Sequence, residues 1–335
     1  VGGRRCPVTL DHTLATATQS DIPVGFSLDA DILDDIAAYT ENWPNDLRIS
    51  SDEAGATELN YEYKSDGQIW VKVPTYSASV DTVIWVWYGC AAASAPAASW
   101  GQGVWDANYT GVYHLEQATD ADAPDSTSNG ATLAKAGTTV TTATGKIGQG
   151  IQFGNGRFGS DNIFTIFTAL TVECWRTYGG AGDREIFNNG SGYFEWADYG
   201  TYSIISAGDG GATAFRCWTS FPANDGSFHK MDITFVGGAS LNVYYDGVND
   251  DGAFSGTVGP KFEPFNNHYE LGQYNGAYSW AGIMDELRLS NVARAADWLK
   301  TNYQTQNALA TIATSGEPET VSANNAPVVK VFMVD

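Results

Sequence analysis

The chain has 335 residues, 43 % of them hydrophobic, and a net charge of −22, which is enough material for roughly two folded domains. Only 17 basic residues stand against 39 acids, which excludes a phosphate-neutralising nucleic-acid binder and disfavours anionic membrane surfaces. No run of 18 apolar residues occurs, so no helix inserts in a membrane, and 37 Gly, 11 Trp and 17 Tyr point to turn-rich β-structure with aromatic surfaces.

The first β-like segment, RRCPVTLDH, starts at Arg4 without a visible signal peptide. Either a leader has been removed or the protein leaves the cell another way. VGFSL (Val24–Leu28) reads as a strand. A short helix is expected over Asp31–Tyr39, where Ile32, Leu33, Ile36 and Ala37 share one face. Leu59, Tyr61 and Tyr63 alternate with polar neighbours, as do Ile69, Val71 and Val73. DTVIWVWYG is apolar on both faces and reads as a central strand. The small, Pro-containing stretch Ala91–Gly103 has no period and marks the best domain boundary.

Beyond it, VYHLEQ, GIQFGN, ALTVECWRT, GYFEWAD, HKMDITFVG, SLNVYYDG and GIMDELRLS recur at short intervals with Gly, Asn and Asp turns between them. That spacing means a sandwich or jelly roll. A terminal helix is expected over Asn291–Thr305, with Ser290 as cap and Val292, Ala295, Ala296, Leu299 and Tyr303 as its apolar stripe. From Ala313 the composition is that of a linker, ending in an isolated strand, VVKVFMVD. Its alternating apolar faces suggest that Val328–Val334 adds to a sheet edge of its own chain or of a neighbour. The expected organisation is a β-rich domain over 1–92, a linker over 93–103, a jelly roll over 104–310 and a linker with terminal strand over 311–335.

Four cysteines lie two to each half, all on β-like segments, with no C-x-x-C and no His at zinc spacing. Zinc and dithiol redox chemistry are disfavoured on that ground. One disulfide per domain, Cys6–Cys90 and Cys174–Cys217, is the expectation, and four separate buried thiols are the alternative.

TLDHTLATATQSDIPVGFSL, DLRISSDEAGATELNYEYK and IWVKVPTYSASVDTVIWVWYG resemble the small β-rich domain of unknown function that commonly precedes laminin-G-like domains in bacterial and phage proteins, over about residues 4–90. VWDANYTGVYHLEQ, DSTSNG, GKIGQGIQF and AGIMDELRLSNVARAADWLKTNYQTQ are similar to a laminin-G-like, concanavalin A-like jelly roll over about residues 104–309. The resemblance implies an all-β chain of two β-sandwich domains with a short C-terminal helix and tail. It also implies sugar- or protein-binding rims, often with calcium, and in such relatives the DSTSNG-like loop and the last-strand acid lie close together. Carried onto this chain, that gives Asp125 and Asp285 as calcium ligands. The alternative for these acids is Asx-turn residues bonding their own backbone.

Retaining glucanase chemistry needs two carboxylates about 5–5.5 Å apart. Asp285 and Glu286 are adjacent and point to opposite faces of a regular strand, and Glu195 and Asp198 have the wrong parity. GNGRFG matches a phosphate-cradle pattern, but a β-like stretch rather than a helix follows it. His12, His114, His229 and His268 are scattered, and His114 reads as a satisfied core or rim histidine. Sugar binding needs exposed aromatic faces. The Gly-rich strings NGSGYFEWADYG and GQYNGAYSW, with Trp218, offer Tyr193, Trp196, Tyr199, Trp218, Tyr274, Tyr278 and Trp280 as ligand-binding candidates. The reading is a non-catalytic protein at a cell or virion surface, or otherwise extracellular, whose jelly roll binds polysaccharide or another surface. A structural subunit of a surface assembly (capsid decoration, tail fibre or filament) is the alternative, with a neighbour engaged through Val328–Val334, and a glucanase-type hydrolase is a minor one.

Overall fold

Alternating apolar residues in the first ninety positions produce six strands: β1 (Arg4–Leu10), β2 (Gln19–Ser27), β3 (Arg48–Ser50), β4 (Tyr61–Tyr63), β5 (Gln68–Tyr76) and β6 (Thr82–Tyr88). A computed structural model of the chain describes residues 3–40, 42–64, 67–90, 93–161, 167–177, 183–188, 194–199, 202–207, 215–220, 225–261, 268–273 and 277–321. Helix α1 (Ala30–Tyr39) is capped by Asp29, whose side chain accepts from the Ile32 amide, and it buries Ile32 and Ile36. Leu33, expected on the same face, is 43 % exposed. A one-turn helix α2 (Ala98–Gln102) lies in the stretch expected to be a linker.

The second half supplies β7 (Tyr109–Tyr113), β8 (Ala134–Gly137), β9 (Val140–Thr144), β10 (Gln149–Phe153), β11 (Gly156–Asp161), β12 (Ala169–Arg176), β13 (Asp183–Asn188) and β14 (Phe194–Tyr199). It continues with β15 (Tyr202–Ala207), β16 (Phe215–Ser220), β17 (His229–Val236), β18 (Ser240–Tyr245), β19 (Val248–Asn249), β20 (Ala253–Ser255), β21 (His268–Leu271) and β22 (Ile283–Ser290). Helix α3 (Ala296–Asn307) follows, and then two short strands, β23 (Ala313–Ser315) and β24 (Glu319–Thr320).

The chain divides into two units, residues 1–106 with 304–335, and residues 107–303. In the first unit, a five-stranded sheet runs β23-β1-β6-β3 with β24 also on β1, and β2-β5-β4 form a second sheet. Cys6, Val8, Leu10, Val24, Phe26, Val71, Val73, Ile84 and Val86 are buried from these strands. Gly25 sits opposite Trp70, and a Cβ there would come within 2.9 Å of the indole. Only glycine lets that ring lie flat on the neighbouring strand.

Residues 313–320 are therefore not the linker that their composition suggests. Val8 pairs with Ser315 and Arg5 with Glu319. The Arg5 side chain reaches Glu319 at 2.8 Å, the Gly316 amide donates to Pro7 O, and the Cys6 thiol donates to Gly316 O at 3.1 Å. A strand of two or three residues at an edge needs only backbone partners, so it leaves no hydrophobic period to read. The strand expected at Val328–Val334 lies outside the described residues.

The second unit is a sandwich. One eight-stranded sheet runs β19-β18-β17-β12-β22-β10-β9 with β7 on β22, and the other runs β20-β16-β15-β14-β13-β21-β11-β8. Leu170, Val172, Cys174, Met231, Ile233, Phe235, Met284, Leu287 and Leu289 from the first sheet enter one core cluster with Phe158, Phe187, Phe194, Trp196, Ile205, Tyr269 and Leu271 from the second. The all-β expectation holds, and among the described residues the only long helices are those near the two expected positions. The Gly154–Gly159 pattern opens strand β11, not a helix. No helix among the described residues is long and apolar enough to cross a membrane.

The expected disulfides are absent: Cys6, Cys90 and Cys174 are free thiols. Cys6 pairs with Val86 across the ladder, which leaves Cys90 four residues further along. At about 3.3 Å per residue, that separation is roughly twice the reach of a disulfide. Cys174 and Cys217 stand on β12 and β16, in opposite sheets, and sheets pack about 10 Å apart. Burial pushes the Cys6 thiol up to about 12, and burial also raises Cys174.

Two outcomes follow from this architecture. Thiol titration of the unfolded, non-reduced chain should count Cys6, Cys90 and Cys174 as free, and in the native chain half-exposed Cys90 should react first. Shortening the chain to residues 1–311 removes β23 and β24 from β1. Calorimetry should then show the first unit melting about 10 °C lower or more, with the transition of the second unit unmoved.

Candidate functional site

The two outer faces of the sandwich differ in chemistry. On the first sheet, inward Leu170, Val172 and Cys174 alternate with outward Thr171, Glu173 and Trp175, and inward Met231 and Ile233 alternate with outward Lys230 and Asp232. Glu173 pairs across the ladder with both Asp232 and Arg288. Strand β22 would break this order if it alternated strictly. Instead the register shifts between Glu173 and Trp175, and Glu286 adopts φ 53°, a left-handed conformation in a non-glycine residue. This β-bulge absorbs one residue, so Met284, Leu287 and Leu289 all reach the core while Arg288 stays on the outer face. The opposite-face argument applied to Asp285 and Glu286 fails at this point, because the strand is not regular there.

The result is a buried ionic row. Lys230 Nζ lies 2.9 Å from Glu173 Oε2 and also bonds Asp232, with all three side chains at most 1 % exposed. Arg288 Nη2 donates to Glu286 Oε2 at 2.7 Å, and its Nη1 donates to Asn302 Oδ1 of α3 at 3.3 Å. His114 Nδ1 donates to Glu286 Oε1 at 2.5 Å. The row is roofed: the Thr171 hydroxyl bonds Val292 O and receives the Arg294 amide, and Tyr303 stacks on Trp175 with centroids 5.5 Å apart. Burial alone would raise the Glu286 carboxyl, but the charges of His114 and Arg288 outweigh it and hold the group at about 2. Burial and the Glu286 charge push Asp285 well above the usual carboxylate range; its Oδ2 accepts from the Ile147 amide at 2.7 Å, and its Oδ1 has no hydrogen-bond partner. This row is enclosed, and a substrate has no access to either acid. The expected satisfied histidine is His114.

Asp125 lies elsewhere and is spent on the backbone. Its oxygens accept from the amides of Val112, Thr127 and Ala131 at 2.9–3.0 Å and from the Thr127 hydroxyl at 2.8 Å. This is the Asx-turn alternative. Asp285 instead accepts from the Ile147 amide, so the two acids are held by different backbone segments.

The outer face of the second sheet carries another polar cluster, in which Glu270, Gln273 and Ser206 are buried and Arg157, Glu195 and Ser279 are half-exposed. Phe158, Tyr269, Leu271, Phe194 and Trp196 point into the core, which turns Arg157, Glu270 and Glu195 outward. The ladder aligns Gly159, Glu270, Asn188, Glu195 and Ser206 in one row across five strands. Arg157 Nε lies 2.9 Å from Glu270 Oε1, and its Nη1 donates to Gln273 Oε1 at 3.1 Å. Gln273 Nε2 donates to Ser279 Oγ at 2.8 Å, and the Ser206 hydroxyl donates to Glu195 at 3.4 Å. Beside Ser279, Tyr278 is 52 % exposed, with φ 54° turning it out of the chain. Planar Arg, Glu and Gln groups next to an exposed ring can pair hydroxyls and cover an apolar sugar face.

Of the three aromatic candidates whose side chains are among the described residues, Tyr278 is the exposed one. Trp196 and Trp280 are wholly buried in the core and cannot stack on a ligand. Tyr193 and Tyr274, and the side chains of Tyr199 and Trp218, lie outside the described residues. Sequence reasoning missed Arg157, Glu270 and Gln273, which sit 116 or fewer residues apart and meet only through the β11–β21 pairing.

Residues 144–300 match the family described as Laminin_G_3, of the concanavalin A-like lectin/glucanases superfamily, and this part of the chain is a concanavalin A-like jelly roll. Comparison with curated protein sequences gives no match. Similar solved structures include the binding domain of Paraclostridial Mosquitocidal Protein 1, 12 % identical with a TM-score of 0.47 over 58 % of this chain and 52 % of that one. Domain 4 of the extracellular arabinanase AbnA from Geobacillus stearothermophilus, in complex with arabinotriose, is 20 % identical with a TM-score of 0.42, over 59 % of this chain and 98 % of that one. The botulinum neurotoxin type G receptor binding domain is 12 % identical with a TM-score of 0.48, over 60 % and 52 %. The chain thus spans about half the length of the toxin domains it matches.

The buried row gives stability a pH signature. Asp285, raised in the folded state, holds a proton that the unfolded chain has lost, so its contribution falls as pH rises from about 4 toward the raised value. Asp285→Asn should gain on the wild type progressively across that window in urea titrations. Glu286 runs the other way: its contribution is present above the ordinary Glu range and is lost as pH falls toward about 2. Glu286→Gln leaves Arg288 buried without its carboxylate and should cost roughly 3–5 kcal/mol at neutral pH.

Proposed function

We propose that the chain is a non-catalytic, extracellular or surface-exposed binding protein whose jelly roll engages a carbohydrate through the outer face of its second sheet. The observation that carries this reading is the Arg157–Glu270–Gln273–Ser279 chain of planar and hydroxyl groups, in which buried Glu270 and Gln273 fix half-exposed Arg157 and Ser279 beside exposed Tyr278. Such a strip offers acceptors and donors at fixed positions and an aromatic face at its end, which is what a hydroxyl-rich ring requires. A hydrolase needs a reachable pair of carboxylates free to act as acid and base or nucleophile. Asp285 and Glu286 are sealed beneath α3, and Glu270 is bonded to Arg157. Asp125 is already oriented by four hydrogen bonds from its own chain, and carbohydrate binding is expected to be the same in EDTA and in millimolar calcium.

A glycan array followed by calorimetry on the best ligand tests this. Tyr278→Ala should weaken binding about tenfold, equal to ~1.4 kcal/mol, and Arg157→Gln should weaken it at least as much, both with native melting temperatures. An array without a bound glycan, or two variants that bind like the wild type, overturns the reading.

A further inference from the structure

The β1–β6 ladder ends with Leu10 opposite Thr82, so the next residues out, Asp11 and Asp81, flank the last pair. His12 opens the 3-10 turn His12–Leu14, which Asp11 caps. The His12 amide donates to Asp81 Oδ1 at 3.0 Å, and its ring Nδ1 lies 2.6 Å from the same oxygen. One donor atom each from Asp11, His12 and Asp81 falls within 4.8 Å of the other two, the one group of three found among the described residues. The backbone beneath is pinned: the Asp11 amide donates to Ile312 O at 2.9 Å, and Asp11 O accepts the Tyr76 hydroxyl.

We infer that Asp11, His12 and Asp81 form a site for one divalent first-row transition-metal ion, with zinc as the reference ion. Two carboxylates side by side at a ladder end repel unless a positive group lies between them. One imidazole with two carboxylates, half-open to water, is the donor set of an open three-ligand zinc site, with solvent completing the tetrahedron. The same set is poor for calcium, which needs six to eight oxygens, and the nitrogen donor tilts selection toward zinc, cobalt or nickel over magnesium. Donors on zinc stand about 3.3 Å apart. The His12–Asp81 contact must therefore open slightly, and Asp81, with 48 % of its side chain exposed, is free to swing. The bond formed is metal to Nδ1, and the proton held between ring and carboxylate passes through solvent to Nε2, so the ligand is the neutral imidazole. Linear spacing could not reveal the site, because His12 and Asp81 are 69 residues apart and the strand pairing joins them.

Zinc chloride titrated into the full chain, by calorimetry and by competition with a chelating dye, tests the site. One equivalent should bind near neutral pH. His12→Gln and Asp81→Asn should each lose about tenfold or more, and calcium should not compete. No stoichiometric binding at millimolar zinc overturns the site, as does undiminished binding by both variants or equal binding of calcium. Should a variant fail to fold, proton spectra of the wild type decide: the His12 ring signals must shift first under substoichiometric zinc, and unmoved His12 signals overturn the assignment.

Discussion

The left-handed residue in the last long strand of the sandwich sets the order of everything around it. By taking up one extra position, Glu286 lets Met284 and Leu287 both face inward, and it keeps Arg288 level with Glu173 on the outer face. A regular strand would drive either a charge into the apolar core or a leucine under the helix. The bulge thereby allows the ionic row to exist, and the row in turn gives α3 a polar seat through Asn302 and an aromatic one through Tyr303. Such a row adds little net stability compared with apolar packing, but removing a single member is costly. Its physical effect is to fix register and to hold α3 in one place.

The sandwich thus has one face sealed by its own chain and one face lined with partly exposed polar groups. The contrast separates two kinds of carboxylate that look alike in sequence: Glu286, locked between His114 and Arg288, and Glu270, buried against half-exposed Arg157.

Much of the fold was legible. Alternation located the strands and the apolar stripes located the helices, because those signals are local, although Ser290, expected to cap the terminal helix, ends β22 and α3 begins at Ala296. The misreadings have physical causes. Trp196 and Trp280 lie in Gly-rich strings that look like loops, yet both rings are in the core, and for Trp196 parity decides it, since it follows outward Glu195 on a continuous strand. The Asp285–Glu286 bulge has no composition signature, as any residue at some cost can adopt φ 53°. The Cys6–Cys90 pairing failed because sharing a domain says nothing about register. Arg157 and Glu270 meet by long-range strand pairing, which a single sequence does not encode in any short pattern.

The closure of β1 by β23 and β24 has a consequence for synthesis. Cys6 and Gly316 are 310 residues apart, so β1, once made, waits for partners that emerge after the whole jelly roll. Through that interval β1 presents a bare edge, the kind of surface on which strands from other chains assemble. Its sequence carries its own protection. Arg4 and Arg5 charge one end, and Pro7 deletes an amide from the middle of the edge, where Gly316 later donates to its carbonyl. A strand written this way repels most partners while accepting a late one that brings Glu319 to Arg5. Fidelity of the first unit would then rest on three residues at its very beginning, whose value lies in the contacts they refuse.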